Sequence, residues 1–299
     1  TCNNIMYSLN NMNPIDRKNV YTNLHFNSKY RKGYFTSSSS DFHYNLPKKI
    51  DNVKSLKLSS ICIPNSWYTF LNDQTSNKFT IELSGGIIPF ASFNITIPDG
   101  NYTATELTKY LNDTHFHNSG TTTALKYVKI TISNFNLKTI IALVSPPAYL
   151  KMKLKFIDNT TDIVMYTAGW TLGFRYGTYN NISSFVISEG LYDNGGDRYL
   201  YFALEDFNKN TNNTHVVMFD GSIMRNNNVL AKIYLNNDKF SINVDNTQEA
   251  LGNHVKTRRY FGPVDLSKIH VKILDQYGRI INLNSMDFSF SLEVEQVYK

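Results

Sequence analysis

The sequence predicts an all-β fold, and three observations carry that reading. Aromatics are abundant, with 20 Tyr and 19 Phe in a chain that is only 41% hydrophobic, and such side chains fit a pleated, half-buried surface. Apolar residues recur at every second position in one segment after another, as antiparallel strands with one wet face require. Polar stretches rich in Asn separate those segments at short intervals. Many short strands with little helix form the pattern of a sandwich or jelly roll. At 299 residues the chain is at the upper limit for one core, which leaves room for an arm or an insertion.

Taken in order, residues 1–50 are loosely patterned, and the run Ser37-Ser38-Ser39-Ser40 reads as a flexible connector, with a short strand at Asp41–Asn45. Regular alternation starts near Ile50, so the predicted boundaries are an N-terminal arm over residues 1–47 and one domain over 48–299. Val53–Ile63 is a long strand whose apolar phase switches between Leu56/Leu58 and Ile61/Ile63, which calls for a bulge or burial on both faces. Strands follow at Phe79/Ile81/Leu83, Phe93/Ile95/Ile97, Val128/Ile130/Ile132, Met152/Leu154/Phe156, Leu200/Phe202/Leu204 and Val229/Ala231/Ile233/Leu235. The last strand is the most regular: Met286, Phe288, Phe290, Leu292 and Val294 share the face predicted to be buried. Before it come Ile269/Val271/Ile273 and the turn Asp275-Gln276-Tyr277-Gly278, where Gly278 supplies a left-handed backbone. One helix is well specified over Ala104–Asn112: Thr103 and Glu106 form a capping box, and Tyr102 with Leu107 a hydrophobic staple. Surplus chain is expected in loops at 112–123, 178–197 and 208–215.

Charge is uneven. Residues 1–50 hold Arg17, Lys18, Lys29, Arg31, Lys32, Lys48 and Lys49 against Asp16 and Asp41, a net of +5 out of +6 for the whole chain. Such a segment is expected either to meet nucleic acid, an anionic membrane or interior, or acidic partner subunits, or to be an ordinary solvated surface. Cys2 and Cys62 cannot make a disulfide framework and fit a reducing compartment. Thr1–Asn13 lacks the basic start and apolar run of a signal peptide, and an initiator Met is expected to have preceded Thr1. No apolar stretch reaches the roughly 18 residues of a membrane-spanning helix.

No site chemistry emerges: the sequence predicts no enzyme, and no catalytic, cofactor-binding or metal-binding residue. His115-Phe116-His117 can put two imidazoles on one face, but nothing nearby completes a metal set, so an exposed loop is the simpler reading. Glu205 and Asp206 are adjacent and face opposite sides of a strand, which removes them as an acid–base pair. Leu172-Gly173-Phe174 and Gly195-Gly196 lack the spacing of a phosphate loop, and no nucleophile elbow is present. Lys256, Arg258 and Arg259 cluster beside Tyr260-Phe261, which can bind nucleic acid but is more simply a surface loop entering a strand. Lys151, Lys153 and Lys155 read as a solvated strand face. The Asn-x-Ser/Thr triplets at Asn94, Asn101, Asn112, Asn159, Asn181 and Asn212 are what so Asn-rich a chain produces by chance.

Several blocks resemble a known family. Arg259-Tyr260-Phe261-Gly262-Pro263, Leu266-Ser267-Lys268-Ile269-His270-Val271-Lys272-Ile273, Asp275-Gln276-Tyr277-Gly278 and Ser289-Phe290-Ser291-Leu292-Glu293-Val294 resemble the end of penton proteins, which form the fivefold vertices of large icosahedral DNA viruses, virophages and polinton-like elements. Leu58-Ser59-Ser60-Ile61-Cys62-Ile63-Pro64-Asn65 resembles the family's early strand, Ile97–Thr103 with Glu106-Leu107 its strand-to-helix turn, and Gly169–Phe174 its Leu-Gly-Phe segment. The blocks run in order over residues 50–299, and the Asn-, Ile- and Lys-rich composition fits the AT-rich genome of a virophage. The resemblance implies a single jelly-roll β-sandwich of two antiparallel sheets with one short helix and an N-terminal arm. It further implies a homopentamer in the virion capsid, made in the host cytoplasm, that meets the major capsid protein of the same virus. A carbohydrate- or receptor-binding module of the lectin type is the alternative, and its sign would be a concave, aromatic-lined pocket. A hydrolase on a β-sandwich is a third class, and it would need convergent carboxylates or a triad in one cleft.

Overall fold

The computed structural model describes residues 19–72, 76–117, 123–158, 163–211, 218–219, 222–223, 228–235, 240–245 and 256–297. In chain order the strands are β1 (Asn19–Asn27), β2 (Asp41–Pro64), β3 (Lys78–Gly85), β4 (Ile88–Thr96), β5 (Val128–Ile132), β6 (Thr139–Leu143), β7 (Lys151–Lys155), β8 (Thr178–Ile182), β9 (Phe185–Ile187), β10 (Tyr199–Glu205), β11 (Met218–Phe219), β12 (Ser222–Ile223), β13 (Val229–Tyr234), β14 (Ile242–Asp245), β15 (Thr257–Leu274) and β16 (Ser289–Val297). Two helices, α1 (Ala104–Thr114) and α2 (Ala168–Thr171), lie between β4 and β5 and between β7 and β8. All strand pairs are antiparallel, so the fold is all-β, as the alternation predicts. The chain divides into two compact units: residues up to Ser66 together with Asp197 onward, and Trp67–Gly196. The expected continuous domain over 48–299 therefore contains a second unit entered after Ser66 and left before Asp197.

The first unit is built on a seven-stranded sheet in the order β1-β16-β2-β15-β10-β13, with β14 beside the end of β2, and it also holds the separate pair β11-β12. Strands β16 and β10 are three steps apart in that order, roughly 14 Å if the sheet were flat. Yet the rings of Phe290 and Phe202 meet with centroids 5.0 Å apart. The sheet must fold over on itself, and its inner faces close a sandwich. The corners fall in β2 and β15, whose pairing shifts register between Arg259 and Val264, between Val264 and Leu266, and between Leu266 and Lys268. Bulges are how a strand turns such a corner.

The predicted phase switch in β2 has its cause here. Ser291 pairs with Ser60 but Leu292 pairs with Leu58, which leaves Ser59 as the extra residue of a bulge. Its hydroxyl donates to the Ser291 carbonyl oxygen at 3.1 Å. Leu56, Leu58, Ile61 and Ile63 are consequently all buried. In β16, Phe290, Leu292 and Val294 are buried as expected, and Phe288 just before it is too. Met286 is 50% exposed, because positive φ values at Asn284 and Ser285 make a turn before the strand begins. Gly278 has φ +81°, as its turn requires. Asp275 organises that turn, accepting from the backbone of Tyr277 at 2.9 Å and of Arg279 at 2.8 Å.

The expected arm differs from the structure wherever it is described. Residues 19–27 are an edge strand paired residue for residue with β16, and Phe26 stacks on Phe290 at 4.9 Å. The serine run is ordered: Ser40 is fully buried and its hydroxyl donates to the Ile281 carbonyl at 2.5 Å. Buried Arg31 fixes the same turn, donating to Asp287 at 2.7 Å and to the carbonyls of Ser28, Tyr34 and Ser37. The boundary at Pro47 thus falls inside β2, and residues 1–18 lie outside the described residues.

The second unit has two sheets, β4-β3-β7-β8 and β5-β6-β9, around one apolar core. The alternating residues of β3, β5 and β7 supply it, with Leu107 and Leu111 of α1. The helix keeps its capping box and extends to Thr114. Asn112 ties it to β5, donating to the Ile130 carbonyl at 2.8 Å and accepting from its amide at 3.0 Å. The region 178–197, expected as a loop, begins with β8 and β9, and the short α2 is a second helix beyond the one predicted. Part of each of the other two expected loops, 118–122 and 212–215, lies outside the described residues.

Candidate functional site

The residues weighed and set aside as site candidates do not converge in the structure either. Phe116 is fully buried, while His115 caps α1 and His117 is exposed with φ +32°, so they are not one strand face. Burial lowers the His115 pKa. Among the described residues no group of three or more His, Cys, Asp and Glu could hold a metal.

The basic cluster at 256–259 is split by the pleat of β15. Arg258 turns inward and donates to Asp206 at 2.9 Å and to the Asn228 carbonyl at 3.2 Å, and Tyr260 donates to the same carboxylate. Burial, and after it Asp206, raises the Tyr260 pKa. Arg259 faces out. Asp206 is 5% exposed and accepts from the Asn208 amide at 3.0 Å, so both carboxylate oxygens are engaged. A charge so paired is a structural anchor rather than a ligand site. Adjacent Glu205 accepts from Asn228 and from the Phe207 amide. Of the basic residues near the N-terminus, Arg31 is spent on Asp287, and Lys49 reaches Asp51 at 3.0 Å and Asp265 at 2.9 Å.

Among the described residues two exposed surfaces stand out. On the outer face of the first unit His43 and His270 stand opposite each other on β2 and β15, rings stacked at 3.9 Å. Asp41 lies 2.5 Å from His270 Nε2, and Lys268 covers the Phe207 ring at 4.1 Å. Desolvation, then His270, lowers the His43 pKa. Sequence reasoning did not single out this pair; its signal was the matching phase of two alternating strands, which is visible only once they are known to pair.

The second surface is the outer face of the sheet β4-β3-β7-β8. The lysines of β7 lie on it as predicted, and Glu82 sits between Lys153 at 3.2 Å and Lys155 at 3.6 Å. At one end a groove of about 690 Å³ is lined by Lys78, Thr80, Asn94, Lys155, Asp158 and Tyr166 among others. Thr80 donates to Asn94 there at 2.9 Å. Hydroxyl, amide and ammonium groups around a half-exposed tyrosine can hydrogen-bond a polar ligand but present no nucleophile–base pair. At the other end the face becomes apolar.

No family model matches the chain, and no curated protein does. Among solved structures the chain is similar to a crystal structure of the selenomethionine-labelled mavirus penton protein, with 7% identity and a TM-score of 0.49 over 94% of this chain and 100% of that one.

Proposed function

We propose that this protein is a structural building block of a viral capsid, a penton subunit that assembles as a homopentamer at the fivefold vertices of an icosahedral, virophage-like particle beside its major capsid protein. The observation that supports this most is where the penton-like sequence blocks lie. Leu58–Asn65 falls in and just after β2, Leu266–Ile273 in β15 and Ser289–Val294 in β16. Blocks more than 200 residues apart in sequence thus fall in neighbouring strands, since β2 is paired with β15 on one side and β16 on the other. A heterologous contact whose rotation closes after five copies is all the mechanism such a role needs. No substrate, cofactor or enzymatic step enters it.

The test is to express the chain with its major capsid protein and image the particles. Five copies around each vertex are expected, and a stable trimer, or particles closed by another protein, would overturn the reading. The free chain can be monomeric without contradicting it, so mass in solution alone does not decide. The groove on the second unit favours an alternative reading as a carbohydrate-binding module. Glycan-array binding that is lost in Asn94→Ala would support that alternative.

A further inference from the structure

The hairpin joining β3 and β4 ends in Gly85-Gly86-Ile87 and continues as Ile88-Pro89-Phe90. Ile87 is 83% exposed and Phe90 68%, and on the loop before β7 Tyr149 is 84% exposed. The two loops are packed backbone to backbone. A Cβ on Gly85 would lie 2.1 Å from the Tyr149 carbonyl oxygen, and one on Gly86 2.1 Å from that of Ala148. Both glycines also have positive φ, +123° and +61°. Only glycine fits there, and the close approach gathers three large apolar side chains, with Pro89, at one tip.

The charge next to this tip is mostly positive. Lys151 follows Tyr149 by two residues, is exposed, and pairs with Ser84 at the base of the hairpin. Lys153 and Lys155 continue along the same outer face, with Glu82 as the acid paired to them. By the two-residue period of β4, Phe90 shares that face with exposed Ser92 and Asn94.

We propose that this tip is a membrane-contact site, which dips Ile87, Phe90 and Tyr149 into the headgroup–acyl boundary of an anionic bilayer while Lys151 and Lys153 engage the headgroups. Apolar groups at the boundary with lysines behind them are the arrangement that binds anionic lipid surfaces. A few side chains on a hairpin tip cover only a few hundred Å². A stable protein interface needs roughly 800 Å² from each partner, which this tip does not offer by itself. Binding through so small a tip is expected to be weak and reversible, strengthened by several copies presented together.

The experiment is flotation of the full chain with vesicles of phosphatidylcholine alone or with about three parts in ten phosphatidylserine, at low and high salt. The wild-type chain should float with the anionic vesicles and much less with the neutral ones. Ile87→Ser/Phe90→Ser/Tyr149→Ser should lower partitioning at least about tenfold with an unchanged circular dichroism melt, because these side chains are outside the core. Lys151→Glu/Lys153→Glu should reduce anionic binding to the neutral-vesicle level and keeps the test open should the triple variant misfold. Failure of the wild-type chain to float, or flotation of both variants equal to that of the wild type, would overturn the proposal. So would a wild type indifferent to vesicles whose triple variant loses self-association, since the tip would then be a protein contact. None of these readouts depends on capsid assembly.

Discussion

In the first unit β2 and β15 run 24 and 18 residues, whereas no described strand of the second unit exceeds nine. The two units also differ in what they bury. Arg31, Asp206, Arg258 and Asp275 are buried in the first, and no charged residue is buried among the described residues of the second. A strand as long as β2 has several registers that bury comparable apolar area, and a one-residue slip would reverse every face. Bulges at Ser59 and along β15, together with buried ion pairs, fix one register. The second unit has short strands, tight turns and a capped helix around an apolar core, so apolar packing and local signals are enough to specify it.

The largest effect should come from removing a pin. Asp206→Ala leaves the Arg258 guanidinium and the Tyr260 hydroxyl buried without their shared acceptor. Losing one partner of a buried pair should cost about 3–5 kcal/mol. Replacing Asp206 and Arg258 together by apolar residues of similar size should recover much of that loss while weakening the choice of register. Urea melts of the three proteins measure both effects. A loss below about 1 kcal/mol for Asp206→Ala would mean that the pair is not an anchor.

In the second unit the matching lesion is local and smaller. Thr103 accepts from the Glu106 amide at 3.2 Å, while Glu106 accepts from the Thr103 amide at 2.9 Å. Thr103→Ala should destabilise by about 1 kcal/mol. The backbone hydrogen bond from Thr103, and then that from its side chain, lowers the Glu106 pKa below 4.5. Its contribution is therefore present above that pH and fades as pH falls through the depressed value. The gap between wild type and variant should narrow on acidification below pH 4.5 in thermal melts. A gap independent of pH would remove Glu106 from the argument.

This contrast also explains what could be read from sequence. Strands β3, β4, β5 and β7 of the second unit, its helix cap and the regular part of β16 follow from two-residue and capping patterns inside single segments, whereas β8 and β9 fell in an expected loop. The bulge at Ser59 was visible as a phase conflict. The strand β1 was missed although Val20, Thr22, Leu24 and Phe26 do alternate, because only Phe26 is buried and its neighbours are polar. Arg258 looked like surface charge because its acceptor, Asp206, is 52 residues away in sequence. Ser37–Ser40 looked flexible because its partner, Ile281, is more distant still. Contacts that depend on long-range pairing leave no local trace, and the first unit is made mostly of them.

The smallest prediction distinguishes the units by the kind of acid sensitivity each carries. His43 in the first and His115 in the second both have lowered pKa values. Each is held neutral in the folded state more firmly than in the unfolded chain, so the unfolded state binds more protons just below pH 6.5. Stability should therefore fall as pH drops from 6.5 toward the folded pKa of each group. The causes differ. Desolvation leads at both, but His43 also feels His270, Lys268 and Lys272, with Asp41 opposing, and Glu205 stands opposite His270 on β10. For His115 burial acts against a single hydrogen bond to the Thr96 backbone. Salt at about 0.5 M should trim the charge-borne part at His43, since exposed charges are screened within several ångströms, and leave the burial-borne part at His115 unchanged. Melts of His43→Gln and His115→Gln between pH 5 and 7.5 test this. Each variant should flatten the acid slope, and added salt should reduce the difference only for His43→Gln. Equal salt responses would show that the stacked pair on β2 and β15 is set by burial alone, and the charge on that face would have no part in the stability of the first unit.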